Sequence, residues 1–138
     1  MFAGKHRVMK NSWVGKIGED TVAKYLTSKK YKIVERNFRT KFGEIDLIAK
    51  DSIGTLVLIE VKTLIAPSPT SLKPEDNLTD VKLRKFRRVS QYYASLYPEY
   101  INEKLGFRLD VVVLQCPNAE ALNNPLQFCD IRHYENII

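Results

Sequence analysis

The stretch that most constrains this chain runs from Gly43 to Thr63. Gly43-Glu44-Ile45-Asp46-Leu47-Ile48-Ala49 and Thr55-Leu56-Val57-Leu58-Ile59-Glu60-Val61-Lys62-Thr63 are both rich in Ile, Leu and Val, with Asp51, Ser52 and Gly54 between them. Two such runs joined by about five turn-forming residues read as a β-hairpin. A turn centred near Ile53 sets Asp46 opposite Glu60 and Glu44 opposite Lys62. Side chains on a strand alternate between faces. The pattern therefore predicts Glu44, Asp46, Glu60 and Lys62 on one face and Ile45, Leu47, Ile59 and Val61 on the other.

Such a face is poorly suited to folding alone. Like charges opposite each other across a strand pair destabilise it, by roughly the 0.2–1 kcal/mol that a good pair contributes, and partial burial makes the conflict worse. Two readings remain open on spacing alone. The face is an exposed, salt-bridged surface, or it holds a divalent cation. Mg²⁺ is typically held by one or two carboxylates, water and a substrate phosphate. A lysine two residues beyond the second carboxylate suits the latter, as a point charge for a phosphate oxygen or a water.

Asp46, thirteen intervening residues and then Glu60-Val61-Lys62 resemble the core of the PD-(D/E)xK nuclease superfamily. More narrowly, about residues 14–114 resemble the YraN-like bacterial family of predicted endonucleases, considered distant relatives of archaeal Holliday-junction resolvases. The residues that carry the resemblance include Gly15, Gly18-Glu19, Ala23, Tyr25-Leu26, Tyr31, Arg36-Asn37, Arg39, Gly43 to Ile48 and Glu60 to Thr63. Ile45 stands at the superfamily's nominal proline, and Leu64 where the family often has Arg. The resemblance implies that Asp46, Glu60 and the backbone carbonyl of Val61 ligate Mg²⁺ or Mn²⁺. It further implies that Lys62 is catalytic, and that Glu19 completes the catalytic site directly or through water. Glu44 is expected just behind the ligands.

The chain has 138 residues, enough for one domain with a core. Its 44% hydrophobic and 28% charged residues are an ordinary globular composition. A net charge of +6 favours an anionic partner. Nucleic acid, DNA first, is the expected partner, and a membrane is not. No run approaches the length of a membrane span, and Met1 to Trp13 lacks the apolar core of a signal peptide. Cys116 and Cys129 make a poor disulfide framework and no zinc set, so free thiols in a reducing compartment are expected. A bacterial cytoplasmic location follows from the resemblance only.

Along the chain, residues 1–12, with Lys5, His6, Arg7 and Lys10, are expected to be a mobile basic arm before a single nuclease-like domain over 13–138. Residues 14–29 read as a helix with an apolar stripe of Val14, Gly18, Val22, Tyr25 and Leu26. Glycines inside a helix cost up to about 1 kcal/mol each, so Gly15 and Gly18 predict close approach to another backbone or side chain. Glu19 lies at the edge of the stripe, where an acid can lean over the core or face solvent. A strand follows over 31–39, its far end made basic by Arg36, Arg39 and Lys41. Residues 64–80, with Pro67, Pro69 and Pro74, read as a long loop able to cover the site.

A second helix is expected from Val81 to Tyr97, with Thr79 or Asp80 as its N-cap. Phe86, Val89, Tyr93, Leu96 and Tyr97 would be its buried stripe. Lys82 falls within that stripe at its N-terminal end, and either snorkels out or meets carboxylates or phosphate. Arg84, Arg87 and Arg88 lie off the stripe, on a solvated face that also fits a DNA backbone. Leu105 to Gln115 reads as a strand buried on both faces, with Arg108 and Asp110 a structural pair. Gln127 to Tyr134 reads as an edge strand. His6 and His133 join no catalytic constellation.

The expected fold is α/β and restriction-endonuclease-like. A mixed central sheet of about five strands is flanked by helices, in the order αβββαββ. The expected activity is metal-dependent hydrolysis of phosphodiester bonds in DNA, including branched or junction DNA of repair and recombination. Arg39, Lys41, Lys82, Arg84, Arg87 and Arg88 are the expected nucleic-acid contacts. A homodimer is expected by analogy with junction resolvases. The competing reading is a non-catalytic nucleic-acid-binding protein that keeps the fold.

Overall fold

The computed structural model describes residues 13–66 and 79–137. Its elements are α1 (Trp13–Ser28), β1 (Lys32–Thr40), β2 (Gly43–Lys50), β3 (Leu56–Ile65), α2 (Asp80–Leu96), β4 (Phe107–Cys116), α3 (Pro125–Phe128) and β5 (Asp130–Tyr134). Leaving aside 3₁₀ turns and the single turn α3, this is the expected order. The five strands form one sheet in sequence order. β3 and β4 pair in parallel and every other neighbour is antiparallel, so the sheet is mixed. A parallel pair needs a crossover connection, and α2 lies within it.

The two helices cover opposite faces. Val22 and Leu26 of α1 pack on Leu47, Val57, Ile59, Val61 and Val112. Phe86, Val89 and Tyr93 of α2 pack on Ile45, Ile48, Leu56, Leu58 and Leu109. Burying each such Leu, Ile or Phe contributes about 1.5–3 kcal/mol. The close approach predicted for the α1 glycines occurs at Gly18, where an added Cβ would overlap Thr63 Oγ1. Thr79 caps α2, its side chain accepting from Lys82 N–H. The loop between β2 and β3 is an Asx turn: Asp51 Oδ1 accepts from Ile53 N–H at 3.1 Å and Thr55 N–H at 2.9 Å.

Several expectations are corrected. Ile45 and Leu47 do not share a face: Leu47 lies under α1 and Ile45 under α2. The adjoining strand β1 is irregular too, with a register shift between Ile33 and Glu35 and a left-handed Asn37 at φ 56°. The β2–β3 ladder runs from Lys50↔Leu56 to Leu47↔Ile59 and stops there. Asp46 and Glu60, and Glu44 and Lys62, are therefore not ladder partners. β3 instead continues against β4 as far as Ile65↔Cys116, so Leu64 and Ile65 are strand and not loop. Gln127 and Phe128 belong to the turn of helix opened by Pro125, and β5 starts only at Asp130. Leu96 ends α2 with 44% of its surface exposed.

Cys116 and Cys129 are not free: they form a disulfide, with Cα atoms 4.4 Å apart. Pairing of β4 with β5 brings the end of one strand beside the residue that precedes the other. The basic arm at 1–12 and the covering loop, from 67 to 78, lie outside the described residues. No helix among the described residues is long and apolar enough to cross a membrane.

Candidate active site

The site forms where β2 and β3 part. Past Leu47↔Ile59 the amide of Val61 has no strand partner on the β2 side, and a buried N–H needs one. Asp46 supplies it: its Oδ2 accepts from Val61 N–H at 2.8 Å, and the residue is only 3% exposed. Along a strand the N–H and C=O of one residue point to the same side. The Val61 carbonyl thus opens into the gap that holds the Asp46 carboxylate. The parting also removes the head-on confrontation of like charges that a continued ladder would impose.

Glu60 and Lys62 follow from alternation. Val57, Ile59 and Val61 face α1, and Leu56 and Leu58 face α2, so Glu60 and Lys62 project on the α2 side. Lys62 Nζ lies 3.4 Å from Glu60 Oε2, and the two side chains keep 20% and 17% of their surface exposed. Solvent and a substrate can reach them. Glu19 is half-buried on α1, which packs on the other face. Glu44 is exposed and pairs across β1–β2 with Arg39, Nε to Oε2 at 3.5 Å.

Among the described residues no three His, Cys, Asp or Glu side chains gather into a metal-binding group. Asp46, Glu60 and the Val61 carbonyl offer only two carboxylates and one carbonyl, fewer protein ligands than a closed cage needs. Two carboxylates with a carbonyl suit Mg²⁺, which keeps several waters and takes substrate phosphate as a ligand.

Of the expected nucleic-acid contacts, Lys82, Arg84, Arg87 and Arg88 are all exposed on α2, so Lys82 snorkels. Arg39 and Lys41 are exposed at the β1–β2 end of the sheet. The structure joins the two groups through Phe42. The Arg88 guanidinium lies over its ring at 4.1 Å and the Lys41 ammonium at 5.4 Å. Tyr92 meets the same ring edge-on at 5.6 Å. Phe42 and Tyr92 belong to no motif, although an aromatic residue at a hairpin tip beside a lysine is a readable signal.

A second carboxylate centre occupies the α1 face. Asp110 is fully buried and accepts from Arg108 Nε at 3.0 Å, from His133 Nε2 at 2.7 Å and from Asn136 N–H at 2.9 Å. Arg108 also donates to Asp51 Oδ2 at 3.0 Å and to Tyr31 Oη at 2.7 Å. Burial pushes the Asp110 carboxyl up, but the hydrogen bonds from His133, Arg108 and Asn136 prevail and hold it below its ordinary value. The same bonds and charge raise Arg108 against the opposing effect of its burial. Burial raises the Tyr31 hydroxyl. The expected Arg108–Asp110 pair is thus real, and His133 is part of it.

Fold and site define an α/β protein whose mixed sheet presents Asp46 and Glu60-Val61-Lys62 on adjacent strands. The chain belongs to the Uncharacterised protein family UPF0102, whose model matches residues 18–114. It is 39% identical over 111 residues to a UPF0102 protein of Thermodesulfovibrio yellowstonii, covering 80% of this chain and 93% of that one. A UPF0102 protein of Fervidobacterium nodosum is 32% identical over 128 residues, covering 93% and 82%. Among solved structures, an EndoMS-dsDNA2 complex superposes with a TM-score of 0.33 at 17% identity, over 77% of this chain and 40% of that one. A repair endonuclease from Pyrococcus abyssi gives 0.32 at 15%, over 92% and 42%. The chain spans about two fifths of the length of either structure.

Proposed function

We propose that this protein is a Mg²⁺- or Mn²⁺-dependent endonuclease that hydrolyses phosphodiester bonds in DNA. The observation that supports this most is the Asp46 carboxylate on Val61 N–H, directly beside Glu60 and Lys62. Asp46, Glu60 and the Val61 carbonyl would hold the ion, with Glu19 reaching it through water from the α1 side of the gap between β2 and β3. A divalent ion in such a set supplies Lewis-acid polarisation of a phosphoryl oxygen and a lowered water pKa. Lys62 orients the attacking water and stabilises charge that develops on the phosphate. The exposed arginines of α2 hold the DNA backbone.

The test is cleavage of labelled duplexes, flaps, nicked duplexes and four-way junctions with Mn²⁺. Wild type should cut at least one of them. Asp46→Asn and Lys62→Ala should bind it and cut about 10²-fold or more slowly, as when one transition-state contact is lost. Mn²⁺ should also raise the melting temperature of wild type, by an amount set by affinity and concentration, and Asp46→Asn should remove most of that rise. A Lys62→Ala variant that cuts at the wild-type rate would sink the assignment.

One observation favours a second reading, a nucleic-acid-binding protein without hydrolysis. Among the described residues the acids do not gather in threes. Tight binding with no cleavage of any substrate by wild type would select it.

A further inference from the structure

The cluster around Phe42 has a chemistry of its own. Two cations converge on one ring, Arg88 at 4.1 Å and Lys41 at 5.4 Å. The half-buried ring is further braced by Tyr92, which also meets Phe38 at 6.5 Å and keeps 40% of its own surface exposed. Arg88, Lys41 and Arg39 are exposed, and the acid beside them, Glu44, is already paired with Arg39. Such a surface, basic and aromatic together, is complementary to unpaired nucleotides. Duplex phosphates need only cations, whereas an unstacked base needs a planar partner. Phe42 also lies four residues before Asp46 on the same hairpin arm, about 13 Å at strand rise.

We propose that the β1–β2 tip and the middle of α2 form a platform for an unpaired base of the DNA substrate. The base stacks on Tyr92 and on the outer face of the Arg88 guanidinium, which Phe42 supports from beneath. Lys41 and Arg39 meet the flanking phosphates. The substrate class is therefore DNA with a single-stranded stretch beside the duplex that enters the site. This rests on the nuclease reading for what happens at Asp46, but not for the binding itself.

The experiment measures affinity of the full chain with EDTA present, so that no cleavage interferes. The probes are a fluorescein-labelled fork with unpaired arms and a blunt duplex of equal length, with 2-aminopurine in one arm of a second fork. Arg88→Lys is the informative variant, because it keeps the charge and loses the plane. It should bind the fork about 10-fold more weakly, lose clearly less on the blunt duplex because the charge that meets the backbone is kept, and lose the quenching of 2-aminopurine. Phe42→Trp should retain the fork preference. Arg88 is exposed, so the variant should melt as wild type does.

Equal binding of the fork by Arg88→Lys and wild type overturns the platform, as does an equal loss on fork and duplex. Cleavage by wild type with an indifferent Arg88→Lys leaves the nuclease and removes the platform. An Arg88-dependent fork preference without any cleavage leaves the platform and removes the nuclease.

Discussion

Asp110 and Glu60 sit on neighbouring strands, yet their surroundings have opposite character. Asp110 faces α1, where Arg108, His133 and the Asn136 amide enclose it and no solvent reaches it. Glu60 faces α2 with Lys62, and both remain partly open to water. The α1 face is also where Gly18 lets the helix lie close to Thr63 of β3. The α2 face carries the exposed arginines and the Phe42 cluster. A carboxylate surrounded by donors on every side holds strands together. One left at a solvent-accessible break in the sheet is placed to meet something that arrives from outside. On the proposed reading the α1 face serves stability, and the α2 face, beyond its own buried core, serves binding and chemistry.

The sharpest break of that comparison is Asp110→Ala. It leaves Arg108 only its bonds to Asp51, Tyr31 and Glu135 and removes the acceptor of His133 and Asn136 N–H, and removal of one partner of a buried pair costs up to about 3–5 kcal/mol. The melting temperature should fall steeply, while any cleavage by the folded fraction should persist. The same carboxyl carries a pH signature. Its value in the folded protein lies below the ordinary 3.8. Its contribution is therefore present above that value and is lost as pH falls through the folded one. Thermal melts between pH 6 and pH 2 should show this acid loss in wild type and a shallower one in Asp110→Asn. If Asp110→Ala melts like wild type, the α1 face is not the stabilising one.

A smaller effect is expected at Gly18→Ala. The new Cβ overlaps Thr63 Oγ1, and overpacking of this kind costs about 1–3 kcal/mol. Urea denaturation should show the loss, and Thr63→Ala in the same chain should recover part of it. Purely additive losses would mean the two residues do not meet.

Smallest for stability is Lys62→Ala, on the open face. Its unfolding free energy in urea should fall by no more than about 1 kcal/mol, the range of a partly exposed ion pair. A loss as large as that of Asp110→Ala would make Lys62 a structural residue and erase the contrast between the faces.

Much of this was legible locally. The Gly43–Thr63 hairpin, the Thr79 cap, the buried Phe86, Val89 and Tyr93 and the αβββαββ order all follow from periodicity and turn chemistry. These act within a few residues of each other. The errors arose where a contact is made at long range. Cys116 and Cys129 are 13 residues apart, and their meeting depends on β5 pairing with β4. His133 reaches an aspartate 23 residues away, which spacing does not announce. Leu64 and Ile65 looked like loop because their partners, Gln115 and Cys116, belong to a strand across the crossover.

By itself the sequence determined which residues could carry chemistry: Asp46, Glu60 and Lys62, at hairpin spacing, in a chain of net charge +6. It also determined the glycine that lets α1 lie close to β3. Only the tertiary structure decided that β2 leaves β3 at Asp46, because that depends on β3 finding a longer partner in β4. The same parting turns an expected strand pair into a carboxylate seated on Val61 N–H. Only the packing of α2 against the hairpin brings Arg88 and Tyr92 to Phe42. Residues some fifty positions apart become neighbours through burial of Phe86, Val89 and Tyr93, a force without direction that local pattern does not encode.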